Sequence, residues 1–218
     1  MIRRAIEIVR QDGFISLYFR VLAQTVYRRL LVLETELNTT TFAADARCRW
    51  LKVDEAEAYA RFQPEIGETE IRRRLGAGHR CWVLVLTDGS IAHGVWVATG
   101  SAWIEYLQLA LPLSASEAYI YQSFTPPEQR GHRYATTASR ALKHRLTQEG
   151  VTRTLACVQP DRAQAYPPVF RGGAHPTAYI GWIGVGRWRY TFRRTTDRYP
   201  IFAPKPVEDR RRAAAGQE

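Results

Sequence analysis

Thr125-Pro126-Pro127-Glu128-Gln129-Arg130-Gly131-His132-Arg133-Tyr134-Ala135 is the stretch on which the fold turns. Before it, Ala118 to Phe124 reads as a strand, and the paired prolines end it because neither has an amide proton to give a sheet. After it, residues 134–149 hold neither proline nor glycine. Ala135, Ala138, Leu142, Arg145 and Leu146 space out along one helix face, with Gly150 at the expected stop. A strand, a turn of small and basic residues, and a long helix follow one another without a gap.

Reading outward from this centre, the chain alternates strands and helices. Upstream, Cys81 to Leu86 and Ile91 to Ala98 read as a hairpin closed by Asp88-Gly89, with a further strand at Ala102 to Leu107. Helices are expected from Val53 to Phe62, where Pro64 interrupts, and from Glu68 to Leu75. Leu31 to Leu37 is the first predicted strand. Downstream come a strand at Thr154 to Val158, a short irregular helix from Arg162, and one or two closing strands between Tyr179 and Phe192. The fold class is therefore mixed α/β.

The flanks have a different character. Residues 1–30 read as an amphipathic helix, bent at Gly13, with Phe14, Leu17, Tyr18, Val21, Leu22 and Val26 on one face and arginines around the rest. Such a helix docks on its own domain, on a membrane surface or on a partner, and the pattern does not choose among them. Residues 201–218 carry the Arg210-Arg211-Arg212 cluster and an alanine-rich end, and are expected to form a flexible basic tail. Residues 31–200 would be the folded domain.

Composition narrows the classes of function. The basic start Met1-Ile2-Arg3-Arg4 runs into Glu7 and Asp12 and never reaches the apolar core of a signal peptide, so a cytoplasmic protein is expected. Arg20, Arg28 and Arg29 break the longest apolar stretch and argue against a membrane span, leaving peripheral contact through residues 1–30 as the membrane option. Cys48, Cys81 and Cys157 are odd in number and far apart, without metal-ligand spacing, so neither a disulfide framework nor a metal site is expected. A net charge of +10 calls for an anionic partner. Much of that excess sits at the two ends, which weighs against nucleic acid.

The turn before the long helix offers an anion a seat. The first amides of a helix lack intrahelical acceptors and face the positive end of its dipole, which suits a pyrophosphate. In this setting the stretch resembles the V-x-P-x-x-R-G-x-G-x-G/A signature of the GNAT acetyltransferase superfamily, with Pro127, Arg130, Gly131 and Ala135 in register and Arg133 at the family's middle glycine. The order of strands and helices is also that of the GNAT fold, a mixed, mostly antiparallel central sheet flanked by helices.

The resemblance implies acetyl-CoA as cosubstrate, with Arg130, Gly131, His132, Arg133, Tyr134 and Ala135 around its pyrophosphate and the backbone at Phe124 and Thr125 along its pantetheine arm. It implies acetyl transfer to a primary amine, with no metal. Asp161 and the run Phe170-Arg171-Gly172-Gly173-Ala174 are similar to a second family segment in which Val169 falls where a tyrosine stands. Tyr166, one helical turn earlier, is the nearest substitute for that tyrosine as general acid.

Amide formation from a thioester needs a base for the amine. Glu117, thirteen residues before Arg130, has the spacing of the family's base glutamate, and Glu105 is the reserve. A solvated glutamate at a strand start explains Glu117 equally well. Cys157 as a nucleophile is outweighed by packing. Trp182, Trp188 and Tyr190 read as a core strand with a basic outer edge. The basic amphipathic start suggests an amino sugar or a lipid-linked intermediate as acceptor. The alternatives are a non-catalytic CoA-binding module of the same shape, motivated by Arg133 and Val169, or a basic membrane or nucleic-acid adaptor.

Overall fold

The computed structural model describes residues 26–37, 44–159, 173–185 and 188–195. The chain divides into two compact units, one of residues 35–156 and one of residues 1–34 with 157–218.

In the first unit, strands β2 (Cys48–Trp50), β3 (Arg80–Val85), β4 (Ile91–Thr99) and β7 (Glu117–Phe124) pair antiparallel in that order, and β8 (Arg153–Val158) adds to β7 in parallel. The short strands β5 (Ser101–Ile104) and β6 (Leu109–Pro112) form a separate hairpin. The helices are α1 (Ala56–Phe62), entered through a 3-10 turn at Val53–Glu55, α2 (Glu68–Gly76) and α3 (Tyr134–Gln148).

The period of two along a strand sorts the core into two faces. Cys81, Val83 and Trp96 pack with Tyr59 of α1 and Ile71 of α2. Their neighbours Trp82, Leu84, Val95 and Val97 pack instead with Ala138, Ala141, Leu142 and Leu146 of α3. The sheet thus carries α1 and α2 on one face and α3 on the other. On α3, Ala141 takes a core place that the spacing gave to Arg145, which is exposed and ion-paired with Glu149 at 2.8 Å. Ala135 is also exposed, one residue into the helix. Gly150 stops α3 with φ +85°, and the Val151 amide closes back on the Leu146 carbonyl at 3.0 Å.

In the second unit, β1 (Tyr27–Glu36), β9 (His175–Val185) and β10 (Trp188–Thr195) pair antiparallel with β9 between the others. Leu31, Leu33 and Tyr179 form its buried cluster, with Phe192 packed against it.

Several expectations need correction. β1 begins at Tyr27, four residues before the predicted start, because Arg28 and Arg29 lie over the Trp182 and Tyr179 rings and so bring their charges into the sheet. Strands β2 and β6, of three and four residues, are too short to leave a periodic signal. Trp182 is a core residue as expected, whereas Trp188 and Tyr190 are 78% and 71% exposed. Of the expected helix over residues 1–30, Tyr27 to Leu30 belong instead to β1, and residues 1–25 lie outside the described residues, as do the segment from Arg162 with Tyr166 and the C-terminal tail. Among the described residues no helix is long and apolar enough to cross a membrane.

Candidate active site at the end of β7

β7 is the strand that organises the site. Among the described residues it pairs with β8 at Glu117↔Arg153, Ala118↔Thr154 and Tyr119↔Leu155, and then runs on to Phe124 with no described strand on that side. On its other side the pairing with β4 slips between Gly94 and Trp96, so that Val95 faces both Gln122 and Ser123. Gln122 absorbs the extra residue in the left-handed region, at φ +51°. A bulged strand with one bare backbone edge can add an extended, amide-bearing chain.

The turn at the end of β7 is tied down from both sides. His93 Nδ1 lies 2.8 Å from Thr125 Oγ1, and Arg130 Nε donates to the Thr125 carbonyl at 3.2 Å. Phe124 sits edge-on to Phe62 of α1 at 5.3 Å. Pro127 to Gln129 makes one 3-10 turn, and Gly131 and Arg133 then take φ of +87° and +63° before α3 begins. The family's middle glycine position is therefore a left-handed position here also, and an arginine occupies it.

The start of α3 is open to an anion. Arg133 stands at the N-cap and makes no side-chain cap, no acidic residue lies in the first turn, and the first amide bonded back to Arg133 is that of Thr137, at 3.0 Å. The amides of Tyr134, Ala135 and Thr136 precede it and lack helical acceptors by geometry. Arg130, Gly131, His132 and Arg133 are exposed around them, with the His132 ring stacked on Tyr134 at 5.4 Å. Uncapped amides, two guanidiniums and a first helical turn without acidic residues form an arrangement suited to a phosphate group.

The structure brings together every residue expected at the phosphate turn. It does not bring Glu117 to that end. Glu117 is the first residue of β7, where its carboxylate accepts from the Ser114 amide at 2.8 Å and pairs with Arg153. The bond from the Ser114 amide holds its carboxyl below the ordinary range, burial opposes it next, and Arg153 adds to the lowering. Seven residues of strand, about 23 Å at ~3.3 Å per residue, separate it from Phe124. Glu105 is exposed in the turn between β5 and β6.

Sequence reasoning missed a pair nearer the bulge. His79 Nδ1 lies 2.5 Å from the Tyr121 hydroxyl, and its ring stands edge-on to that of Tyr121 at 5.7 Å. The two residues are 42 positions apart, and only the β3–β4–β7 register joins them. Among the described residues no cluster of three or more His, Cys, Asp or Glu side chains could hold a metal.

His93 makes a testable contribution. Burial holds its imidazole neutral, down to about 4 from 6.5, so the unfolded chain binds more protons between those values. Its stabilisation is complete above pH 6.5 and drains away as the pH falls towards 4. His93→Asn keeps a donor for Thr125 but cannot become charged. The wild-type urea midpoint should therefore fall further than the variant's between neutral pH and about pH 4.5. Equal falls would show that another group titrates.

The sheet in which β7 bulges, parts from its parallel neighbour and feeds an uncapped helix is the fold shared with the acetyltransferases below. The family model for the acetyltransferase (GNAT) family matches residues 42–167, more than half of the 218. The chain belongs to that family. Similar solved structures include a GNAT-family acetyltransferase from Novosphingobium aromaticivorans, at 14% identity and TM-score 0.51 over 70% of this chain. Another is a GNAT-family acetyltransferase from Colwellia psychrerythraea, at 11% identity and TM-score 0.51 over 74% of this chain. The chain spans 61% and 58% of their lengths, and the likeness extends to the fold. No curated protein matches the sequence significantly.

Proposed function

We propose that this chain is an acetyl-CoA-dependent N-acetyltransferase that passes the acetyl group to a primary amine by direct attack on the thioester. The observation that carries the reading is the turn at Arg130–Ala135, where two left-handed residues present an uncapped helix start at the end of a strand with a bare edge.

In this reading the pyrophosphate rests on the first amides of α3, with Arg130 and Arg133 neutralising its charge. Arg130 has one N–H bonded to Thr125, which keeps its guanidinium beside the turn. The pantetheine amides run back along the bare edge of β7 from Phe124 towards Gln122, replacing the strand that β8 does not supply there. The thioester then meets the bulge, and the amine attacks its carbonyl carbon. The N–C bond forms, the C–S bond breaks, the thiolate leaves with that electron pair and takes a proton from water, and the proton lost by the nitrogen returns to solvent, so that charge balances.

The test is calorimetric titration with acetyl-CoA, with dephospho-CoA and ATP as comparisons. Micromolar binding of acetyl-CoA, largely kept by dephospho-CoA because the pyrophosphate and arm are intact, is the expected result. Absence of acetyl-CoA binding would reduce the Arg130 turn to a structural one. Binding without thioester cleavage across a broad panel of primary amines would favour a non-catalytic CoA-binding module.

A further inference from the structure

His79 and Tyr121 touch beside the bulge, Nδ1 to hydroxyl at 2.5 Å, and the sequence assigned them no role. Tyr121 lies two residues past the last β7–β8 pair, on the bare stretch of β7 and directly before left-handed Gln122. Its ring is stacked on Tyr119 at 5.6 Å and tilted against Trp96 at 6.4 Å, so the hydroxyl has a fixed direction. His79 is fixed from its own side by the end of α2. Gly78 takes φ +83° and the His79 amide donates to the Arg74 carbonyl at 3.0 Å.

Arg74 joins the pair to the bulge itself. Its guanidinium lies over the Trp96 and Tyr121 rings at 5.2 and 5.6 Å, donates Nη1 to Gln122 Oε1, and is ion-paired with Glu70 at 2.7 Å. The left-handed residue that re-aims β7 is thereby connected through one side chain to α2 and, through the Tyr121 ring, to His79.

Resting on the acetyltransferase reading above, we propose that His79 is the base of the reaction and Tyr121 its positioning residue. The amine attacks in its neutral form, and the nitrogen becomes acidic as the N–C bond forms. That proton passes to His79 Nε2, while Nδ1–H is held towards the Tyr121 oxygen. The imidazolium later returns its proton to water, and the thiolate is protonated by water, so atoms and charge balance.

The surroundings keep such a base in its working form. Burial first, then Arg74 and Arg73, lower the His79 imidazole from 6.5, with Glu70 opposing. Burial raises the Tyr121 phenol to about 12, so it stays protonated. The titratable and charged groups facing the pair are Glu70, Arg73 and Arg74 from α2, Cys81 from β3 and Tyr119 from β7. Burial pushes Cys81 itself up to about 12, which leaves it uncharged at neutral pH. Glu117 lies outside this group, already bonded to Ser114 and Arg153.

The experiment has two arms on the full chain, entered once calorimetry has shown acetyl-CoA binding, so that failure to bind counts against the acetyltransferase reading separately. In the first, His79 is carbethoxylated with diethyl pyrocarbonate and followed by mass spectrometry. Saturating acetyl-CoA should slow the modification strongly, and ATP should not. In the second, thiol release from acetyl-CoA is measured across pH with hydroxylamine as a small amine nucleophile, its free-base concentration held constant at every pH so that its own protonation produces no acid limb.

The wild-type kcat/KM should fall on the acid side below pH 6.5. In His79→Gln that limb should vanish and the rate should drop by about a hundredfold or more, with acetyl-CoA affinity kept. Tyr121→Phe should lose less and keep the limb, and Glu117→Gln should leave both rate and limb unchanged. Four results overturn the assignment: His79 that acetyl-CoA does not protect, a limb that survives in His79→Gln, a limb lost in Glu117→Gln, or no wild-type thiol release above the solution rate.

Discussion

Gly131→Asp should raise the acetyl-CoA dissociation constant at least about tenfold, the equivalent of ~1.4 kcal/mol. Gly131 has φ +87°, and a Cβ built on it meets nothing within 4 Å, so the substitution changes conformational preference and charge without a collision. The left-handed region costs an ordinary residue about 1–2 kcal/mol, but aspartate enters it more readily than most, which keeps the folded turn within reach. Placed two residues before the Arg133 N-cap, the new carboxylate would approach the same uncapped amides that the pyrophosphate is proposed to use. It would act as a resident competitor for the anion seat.

Gly131→Ala separates the two effects, because it meets the same backbone strain with no charge. Its affinity should stay within a few-fold of wild type while its stability falls. Calorimetric titration of both variants decides the matter. If Gly131→Asp binds acetyl-CoA as tightly as wild type, the pyrophosphate is not on this turn.

The contrast between what could and could not be read beforehand follows from how far apart the interacting residues lie. The strand, turn and helix around Arg130 were legible because their reasons are local. Two prolines stop a strand, glycine permits a left-handed turn, and a proline-free run makes a helix, all within about thirty residues. The β3–β4 hairpin was legible for the same reason, with Asp88-Gly89 between two apolar runs. What decides the interior of the site is set by register instead. The bulge at Gln122 exists because Val95 faces two residues of β7, and nothing in the run Tyr121-Gln122-Ser123 announces it. Uninterrupted alternation would have put Ser123 on the Tyr121 face, and left-handed Gln122 breaks that alternation. The His79–Tyr121 contact likewise needs three strands in place before the residues meet. Glu117 illustrates the opposite hazard. Its spacing from Arg130 is a one-dimensional quantity, whereas its bonds to Ser114 and Arg153 depend on the parallel pairing of β7 with β8.

Gly94→Ala should be the most damaging single-methyl change in the first unit, costing about 1–3 kcal/mol as overpacking of a filled core. A Cβ at Gly94 would come 2.7 Å from Tyr59 Oη and 2.8 Å from Tyr59 Cε2. Tyr59 is fully buried between Phe62 at 5.3 Å and Trp96 at 5.8 Å, and its hydroxyl donates to Gln63 at 3.0 Å, so it cannot step back. The melting temperature should fall by about 2–4 °C for each kcal/mol lost. Tyr59→Phe removes the closest atom of the clash but leaves buried Gln63 without that donor, a cost of about 1–3 kcal/mol by itself. Because the phenylalanine ring keeps Cε2, that variant relieves little of the clash; Tyr59→Leu removes the whole ring edge, so combined with Gly94→Ala it should cost less than the two changes summed, and strict additivity there would show that the clash is not the cause. The damage should also reach the site, because Gly94 pairs directly with Phe124 and follows His93, which holds Thr125. Weaker acetyl-CoA binding should therefore accompany the stability loss. Gly89→Ala provides the comparison: at φ +83° in the remote β3–β4 turn it should lose stability by backbone strain alone and leave affinity intact. Should both variants bind acetyl-CoA as wild type does, the β4 backbone would be packing for the core without setting the position of the phosphate turn.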